Sequence, residues 1–254
     1  MTDETLLDDP SRLLAADRAG LLRAAAAAGA QVRATAEAAA EIGVGEFAGV
    51  RPRALILLGR PGIGPSMVAL LAALLPRSCP VPVVRADVVP SWVGPLDVVF
   101  VHCDDPGDVP LAESLVLAGR RGAQVLLTGP QDGPVAAAAA GSALLLPPRV
   151  PTPPRFGFAR ALAAGLVLAR ALGLLDTDTD QLADALDAEA ERCHPDQESF
   201  LNPAKALALR LLERTPLLWG VDPAASAVAG YAAHALSTHA GVVCDAAPFP
   251  QAGT

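Results

Sequence analysis

At 254 residues the chain can bury a full core, as one large domain or two modest ones; with hydrophobic residues at 52% and aromatics at only 4%, that core must be built from Ala, Leu and Val. A net charge of −8, from 19 Lys and Arg against 27 Asp and Glu, argues against nucleic acid and against an anionic membrane as partners, since both require a clustered basic surface. The longest apolar stretch, residues 135–146, is too short to span a bilayer, and the opening Met-Thr-Asp-Glu is acidic where a secretory leader is positive, so the cytoplasm is the expected location.

In chain order, Pro10-Ser11 opens a helical stretch to about Ile42, with Leu13, Leu14, Leu21 and Leu22 on one face and Gly29 expected to divide it in two. Four apolar runs follow, at 54–58, 81–84, 98–101 and 125–127. They lack polar alternation, which suits strands covered on both faces. Interleaved with helical patterns, and with 143–146 as a fifth strand, they predict an α/β fold: a doubly wound parallel sheet with its ligand beyond the carboxyl ends of the strands. Residues 147–154 hold five prolines and read as a connector into a helix over 155–172. An acidic helix over 176–192 and a break at 193–202 come next. A helix at 203–213, a strand at 216–219, a helix at 223–239 and a strand at 242–244 complete the chain. The expected division is N-terminal helices (1–52), a first sheet unit (53–175), a connecting helix and linker (176–202), and a second, smaller and incomplete unit (203–254). A unit of that size has to dock on the first or on a partner, or is a shortened form of something longer.

Three loops after strands could carry chemistry. Gly59-Arg60-Pro61-Gly62-Ile63-Gly64-Pro65-Ser66 leaves a strand and opens a helix, where backbone N–H groups can meet an anion, although it is neither GxGxxG nor a P-loop and its prolines remove two donors. His102-Cys103-Asp104-Asp105-Pro106-Gly107-Asp108 holds several potential metal ligands. Neighbours along one loop rarely converge on an ion, so no metal and no cofactor are expected, and Asp108 reads as the cap of the next helix. Thr128-Gly129 offers a hydroxyl after the fourth strand. Cys79, Cys103, Cys193 and Cys244 form no CxxC pair and read as reduced thiols. His194, His234 and His239 lie outside the sheet loops and read as surface or helix-face residues.

These loops and their spacing resemble the bifunctional phosphoglucose/phosphomannose isomerases, a family with two sugar isomerase (SIS) domains. Gly59 to Ser66 stands where that family has a GxGGSxxxGD loop. Val89-Pro90-Ser91-Trp92-Val93-Gly94-Pro95 is similar to its Pro-x-Trp-Val-Gly element, Pro154-Arg155 to its Pro-Arg element, and Asn202-Pro203-Ala204-Lys205 to its N-x-A-K helix start. The resemblance implies a flavodoxin-like SIS fold with a partial second SIS-like unit, a homodimer, and a sugar-phosphate ligand. That ligand would meet Gly59, Gly62, Gly64, Ser66, His102, Asp104, Thr128 and Gly129, with Arg155 pairing with phosphate or with charge on an enediolate.

The sequence departs from the family at two places. The family's Ser-Tyr-Ser-Gly-Asn-Thr-Glu-Glu-Thr loop is replaced by one beginning His102-Cys103-Asp104-Asp105. A carboxylate about 4 Å from a phosphate costs on the order of 4 kcal/mol per unit pair at an effective dielectric near 20, roughly a thousandfold in affinity. The family's catalytic Glu, in an L-x-E-N-x-K stretch, is replaced by Thr238, which cannot act as a base near neutral pH. The expectation is a sugar-phosphate-binding protein with impaired or lost isomerase activity and a regulatory or partner role. The alternative is a working aldose-ketose isomerase whose base has moved to His239 or His102, and a third reading is a purely structural subunit.

Overall fold

The computed structural model describes residues 4–153 and 156–249. Three helices lead the chain: α1 (Pro10–Ala16), α2 (Leu21–Ala26) and α3 (Ala28–Glu41). The stretch divides at Ala27, two residues before the expected Gly29, and once more ahead of it. Gly20 adopts the left-handed conformation, and the Asp17 carboxylate accepts the N–H groups of Leu21 and Leu22 at 2.8 and 2.9 Å, which starts a new helix there. Gly29 instead lies inside α3, where a Cβ would collide with the Asp187 carboxylate; it allows α3 to lie close against α8 (Thr179–Arg192).

The sheet unit runs β1 (Ala54–Leu58), α4 (Gly64–Leu74), β2 (Val83–Ala86), β3 (Asp97–His102), α5 (Val109–Arg120), β4 (Gln124–Thr128), α6 (Pro134–Ala139) and β5 (Leu144–Leu146). All five strands are parallel, in the order β2-β1-β3-β4-β5, the flavodoxin-like arrangement. Every residue of β1 and β3 is buried, as their unbroken apolar runs require. Alternation sorts their side chains. Leu55, Leu57 and Phe100 share a core with Met67 and Leu71 of α4, while Ile56, Leu58, Val99 and Val101 share the opposite one with Leu111 and Leu115 of α5. Between β2 and β3 no helix intervenes. Val89 and Val93 of that connection are buried in the α5-side core, and the Val89 N–H donates to the Ser114 hydroxyl at 2.6 Å.

Helix α7 (Phe158–Ala171) closes the α4 side of the sheet. A Cβ on Gly165 would stand 2.6 Å from Leu71 and 3.1 Å from Phe100, so only glycine allows this close seating. The acidic helix α8 packs on α3, where Arg33 pairs with Asp184 and Asp187 at 2.6 Å each. The last segment holds α9 (Pro203–Leu211), β6 (Leu217–Gly220), α10 (Pro223–Ala240) and β7 (Asp245–Pro248). β6 and β7 pair in parallel as a separate two-stranded sheet. The expected strand at 242–244 lies three residues too early, because Gly241 caps α10 in the left-handed conformation and pairing begins only at Asp245. This small sheet does not stand alone: α10 packs along α4, with Gly230 facing Ser66. Among the described residues no helix is long and apolar enough to cross a membrane.

Candidate functional site

The order reversal between β1 and β3 opens a crevice at their carboxyl ends, and the loops that follow these strands shape it. After β1 the chain turns through Gly62 at φ +104°, a conformation that suits glycine, and enters α4. Gly64 sits so near Gly59 that a Cβ would come within 3.1 Å of its carbonyl carbon. Pro65, in the first helical turn, forfeits no intrahelical bond. Both expected features of this loop, tight backbone and helix start, are therefore backbone geometry.

The loop after β3 supplies the charge. Asp108 caps α5 by accepting the Leu111 N–H at 3.0 Å, and it holds Arg60 through two bonds of 2.7 and 2.9 Å; Arg60 also donates to the Asp87 carbonyl at 2.9 Å. The two side chains are 14% and 10% exposed, so this fork ties the β1 and β3 loops together largely out of water. Asp105 turns outward and accepts the Gly107 N–H at 2.9 Å. Asp104 turns inward, its Oδ2 3.5 Å from the place a Cβ on Gly62 would take. Its other oxygen lies 2.9 Å from His102 Nε2.

His102 itself is shut beneath that carboxylate, with its side chain 1% exposed and Nδ1 without a hydrogen-bond partner among the described residues. Thr128 stands opposite His102 across the β3–β4 ladder, fully buried, its hydroxyl likewise without a partner. Gly129 brings the β4 loop against β3, where a Cβ would meet the Cys103 carbonyl oxygen at 2.9 Å. Burial, with the Asp108 charge behind it, pushes the Cys103 thiol up to about 12, and its Sγ donates to the Asp105 carbonyl at 2.9 Å. It is a poor nucleophile.

Two chambers open above these loops. The larger, about 780 Å³, is lined by Arg60, Gly62, Asp104, Asp105, Asp108 and, from α10, His234. The smaller, about 270 Å³, lies under the proline-rich 148–153 segment and is walled by Cys103, Asp104, Arg149, Gly157 and Arg160. Asp104 belongs to both. Of the expected site residues, Gly62 and Asp104 thus reach open space, whereas Gly59 and Gly64 serve the turn and His102, Thr128 and Gly129 lie beneath it. Ser66 faces the other way, into a hollow between α4 and the small sheet. His239 packs edge-on against Phe156, ring centroids 5.2 Å apart, and lines neither chamber. Arg155 lies outside the described residues. Lys205 is committed to structure: buried, it donates to the Pro195 and Gln197 carbonyls at 2.7 Å each, next to Asn202, which caps α9.

Two residues outside the expected site line the chambers. Arg160, near the start of α7, is buried, and burial pulls its guanidinium below the ordinary value, with the Asp104 carboxylate acting the other way. A charged side chain on the Ala- and Leu-rich face of a helix was the available signal. His234 was visible only as a helix-face histidine. Among the described residues no group of three or more His, Cys, Asp or Glu side chains is placed to hold a metal ion.

No family model matches the chain, and no curated protein matches it. Solved structures do. A hypothetical protein from Thermus thermophilus aligns over 97% of this chain and 65% of its own length, with a TM-score of 0.70 at 16% identity. The likeness of fold extends to proteins named for sugar phosphates. The C-terminal domain of glucosamine-fructose-6-phosphate aminotransferase from Francisella tularensis aligns over 91% of this chain and 70% of its own (TM-score 0.60, 12% identity). Tagatose-6-phosphate ketose/aldose isomerase from Escherichia coli aligns over 85% and 64% (TM-score 0.54, 13% identity). The chain therefore spans about two thirds of the length of these proteins, and at such identities the likeness is one of fold.

Proposed function

We propose that the protein is a carbohydrate-derivative-binding protein of the SIS type, resembling glucose-6-phosphate/mannose-6-phosphate isomerases, that holds a sugar phosphate over the carboxyl ends of its sheet without isomerising it. In this reading it acts in the cytoplasm as a homodimeric binding or regulatory partner. The ligand class is supported by the shared fold, whose similar structures include proteins named for hexose phosphates, and by the open polar cleft at the strand order reversal.

The absence of turnover rests on one observation, the inward Asp104 carboxylate beside Gly62. It stands where the β1 loop would otherwise face a phosphate, and its charge opposes that placement. The other candidates for the missing Glu are poorly placed: His102 lies under Asp104, His239 lines neither chamber, and Thr238 is exposed at the end of α10. The test is incubation of the purified protein with fructose 6-phosphate while glucose 6-phosphate and mannose 6-phosphate are followed. No product is expected, together with a raised melting temperature in the presence of hexose phosphates. Turnover that vanishes in Arg155→Ala would overturn the proposal. A second reading, a working isomerase with a relocated base, draws on the position of His234 at the larger chamber. It requires turnover that is lost in His234→Gln.

A further inference from the structure

We infer that the anion-binding end of the site is the smaller chamber, with Arg160 as its anchor, and that the ligand's phosphate enters there instead of at the β1 and β3 loops. This rests on the reading that the ligand is a sugar phosphate. Its basis is a side chain in an otherwise unfavourable place. Arg160 is only 9% exposed, and its buried Nε has no hydrogen-bond partner among the described residues. It also sits in the first turn of α7, where the helix dipole disfavours a cation. An anion in the chamber would reverse both penalties.

The surroundings fit such a guest. Gly157, the residue before α7, provides no side-chain cap, and a Cβ there would stand 2.9 Å from Arg160 Nη2, so the glycine makes room for the guanidinium and leaves the helix start uncapped by a side chain. An anion held here would meet the guanidinium and those first-turn N–H groups together. The charges of the two chambers differ in sign. Among the described residues the larger is lined by three carboxylates, Asp104, Asp105 and Asp108, against one guanidinium, Arg60, already held by Asp108. Among its described residues the smaller is lined by the guanidiniums of Arg149 and Arg160 against the carboxylate of Asp104; Arg149 is engaged by Glu41, which leaves Arg160, of these, as the cation to bind a guest. The sugar hydroxyls would then extend past Asp104 into the larger, acidic chamber.

The experiment is calorimetric titration of the full chain with glucose 6-phosphate, inorganic phosphate and glucose, for wild type, Arg160→Met, Arg160→Lys and Asp104→Asn. Arg160→Met should weaken both phosphate probes by roughly tenfold or more, as loss of a charged hydrogen-bonding partner does. Its unliganded melting temperature should be no lower than wild type, because a desolvated charge is removed. Arg160→Lys should recover part of the binding, and serves if the Met variant does not fold; Asp104→Asn should tighten the phosphate probes. Binding of glucose 6-phosphate that is unchanged in both Arg160 variants would overturn this placement and leave the proposed ligand class standing. Failure of wild type to bind either phosphate probe, or equal binding of glucose, would overturn both.

Discussion

Replacing Asp108 with Asn isolates the force that holds the cleft's two loops together. Asn keeps an N-cap oxygen for the Leu111 N–H, so the start of α5 should be retained, while the charge that Arg60 grips through bonds of 2.7 and 2.9 Å is removed. Breaking a buried pair by deleting one partner costs about 3–5 kcal/mol. Here the pair is slightly exposed and Arg60 retains the Asp87 carbonyl, so the expected loss is at the lower end, about 3 kcal/mol. Arg60→Met, which leaves Asp108 on its cap bond, should cost about 2 kcal/mol. The double variant should then be destabilised by less than the sum of the singles, with a coupling of about 1.5–3 kcal/mol. Urea denaturation of the four proteins at pH 7 measures it. A coupling below about 0.5 kcal/mol would mean that the pair behaves like a solvated surface contact, and the account of a rigid bridge between the loops would be wrong.

Gly129→Ala places a Cβ 2.9 Å from a backbone oxygen that cannot rotate away, and thermal denaturation should show a loss of about 1–3 kcal/mol; a neutral result would contradict the close packing of the β3 and β4 loops. Cys103, with its thiol at about 12, should stay unmodified by iodoacetamide at pH 8 in the native protein and react on unfolding; mass spectrometry showing it labelled ahead of Cys79 would contradict its burial. The Glu41 carboxyl is held below its ordinary value by its bond to Arg149. Its stabilising contribution is thus present above the unfolded carboxylate range and disappears as pH falls through the lowered value, so the melting temperatures of wild type and Glu41→Gln should converge between pH 7 and about pH 2. A gap that persists at the acid end would show that the ion pair is not its source.

The sheet could be read from the chain because β1, β3 and β4 are buried on both faces and so are written as plain apolar runs, with turn residues after each. β7 could not. Its residues, Asp245-Ala-Ala-Pro, have little strand preference, and they pair because β6 offers a partner edge and Asp245 N–H finds the Pro216 carbonyl at 3.1 Å; this is a tertiary cause that no local window contains. The same distinction divides the site. Gly62 and Asp104 follow strands whose carboxyl ends converge, and so lie at the edge of the larger chamber. Ser66, in the first turn of α4, is rotated by the helix toward α10, and Arg160 and His234 arrive from helices whose approach to the strand ends depends on packing at Gly165 and Gly230. The motif-like Asn202 and Lys205 illustrate the reverse: their spacing was legible, yet the polar groups serve to close the 194–197 turn.

Asp104 forms a wall common to both chambers, and this has a thermodynamic consequence. Whatever neutralises or displaces that one carboxylate from one side alters the field felt on the other. Two guests, or two halves of one guest, are then bound by reciprocal linkage, each changing the other's affinity by the same factor. A molecule long enough to fill both compartments would be discriminated as a whole, its affinity differing from the combined affinities of its fragments by that coupling.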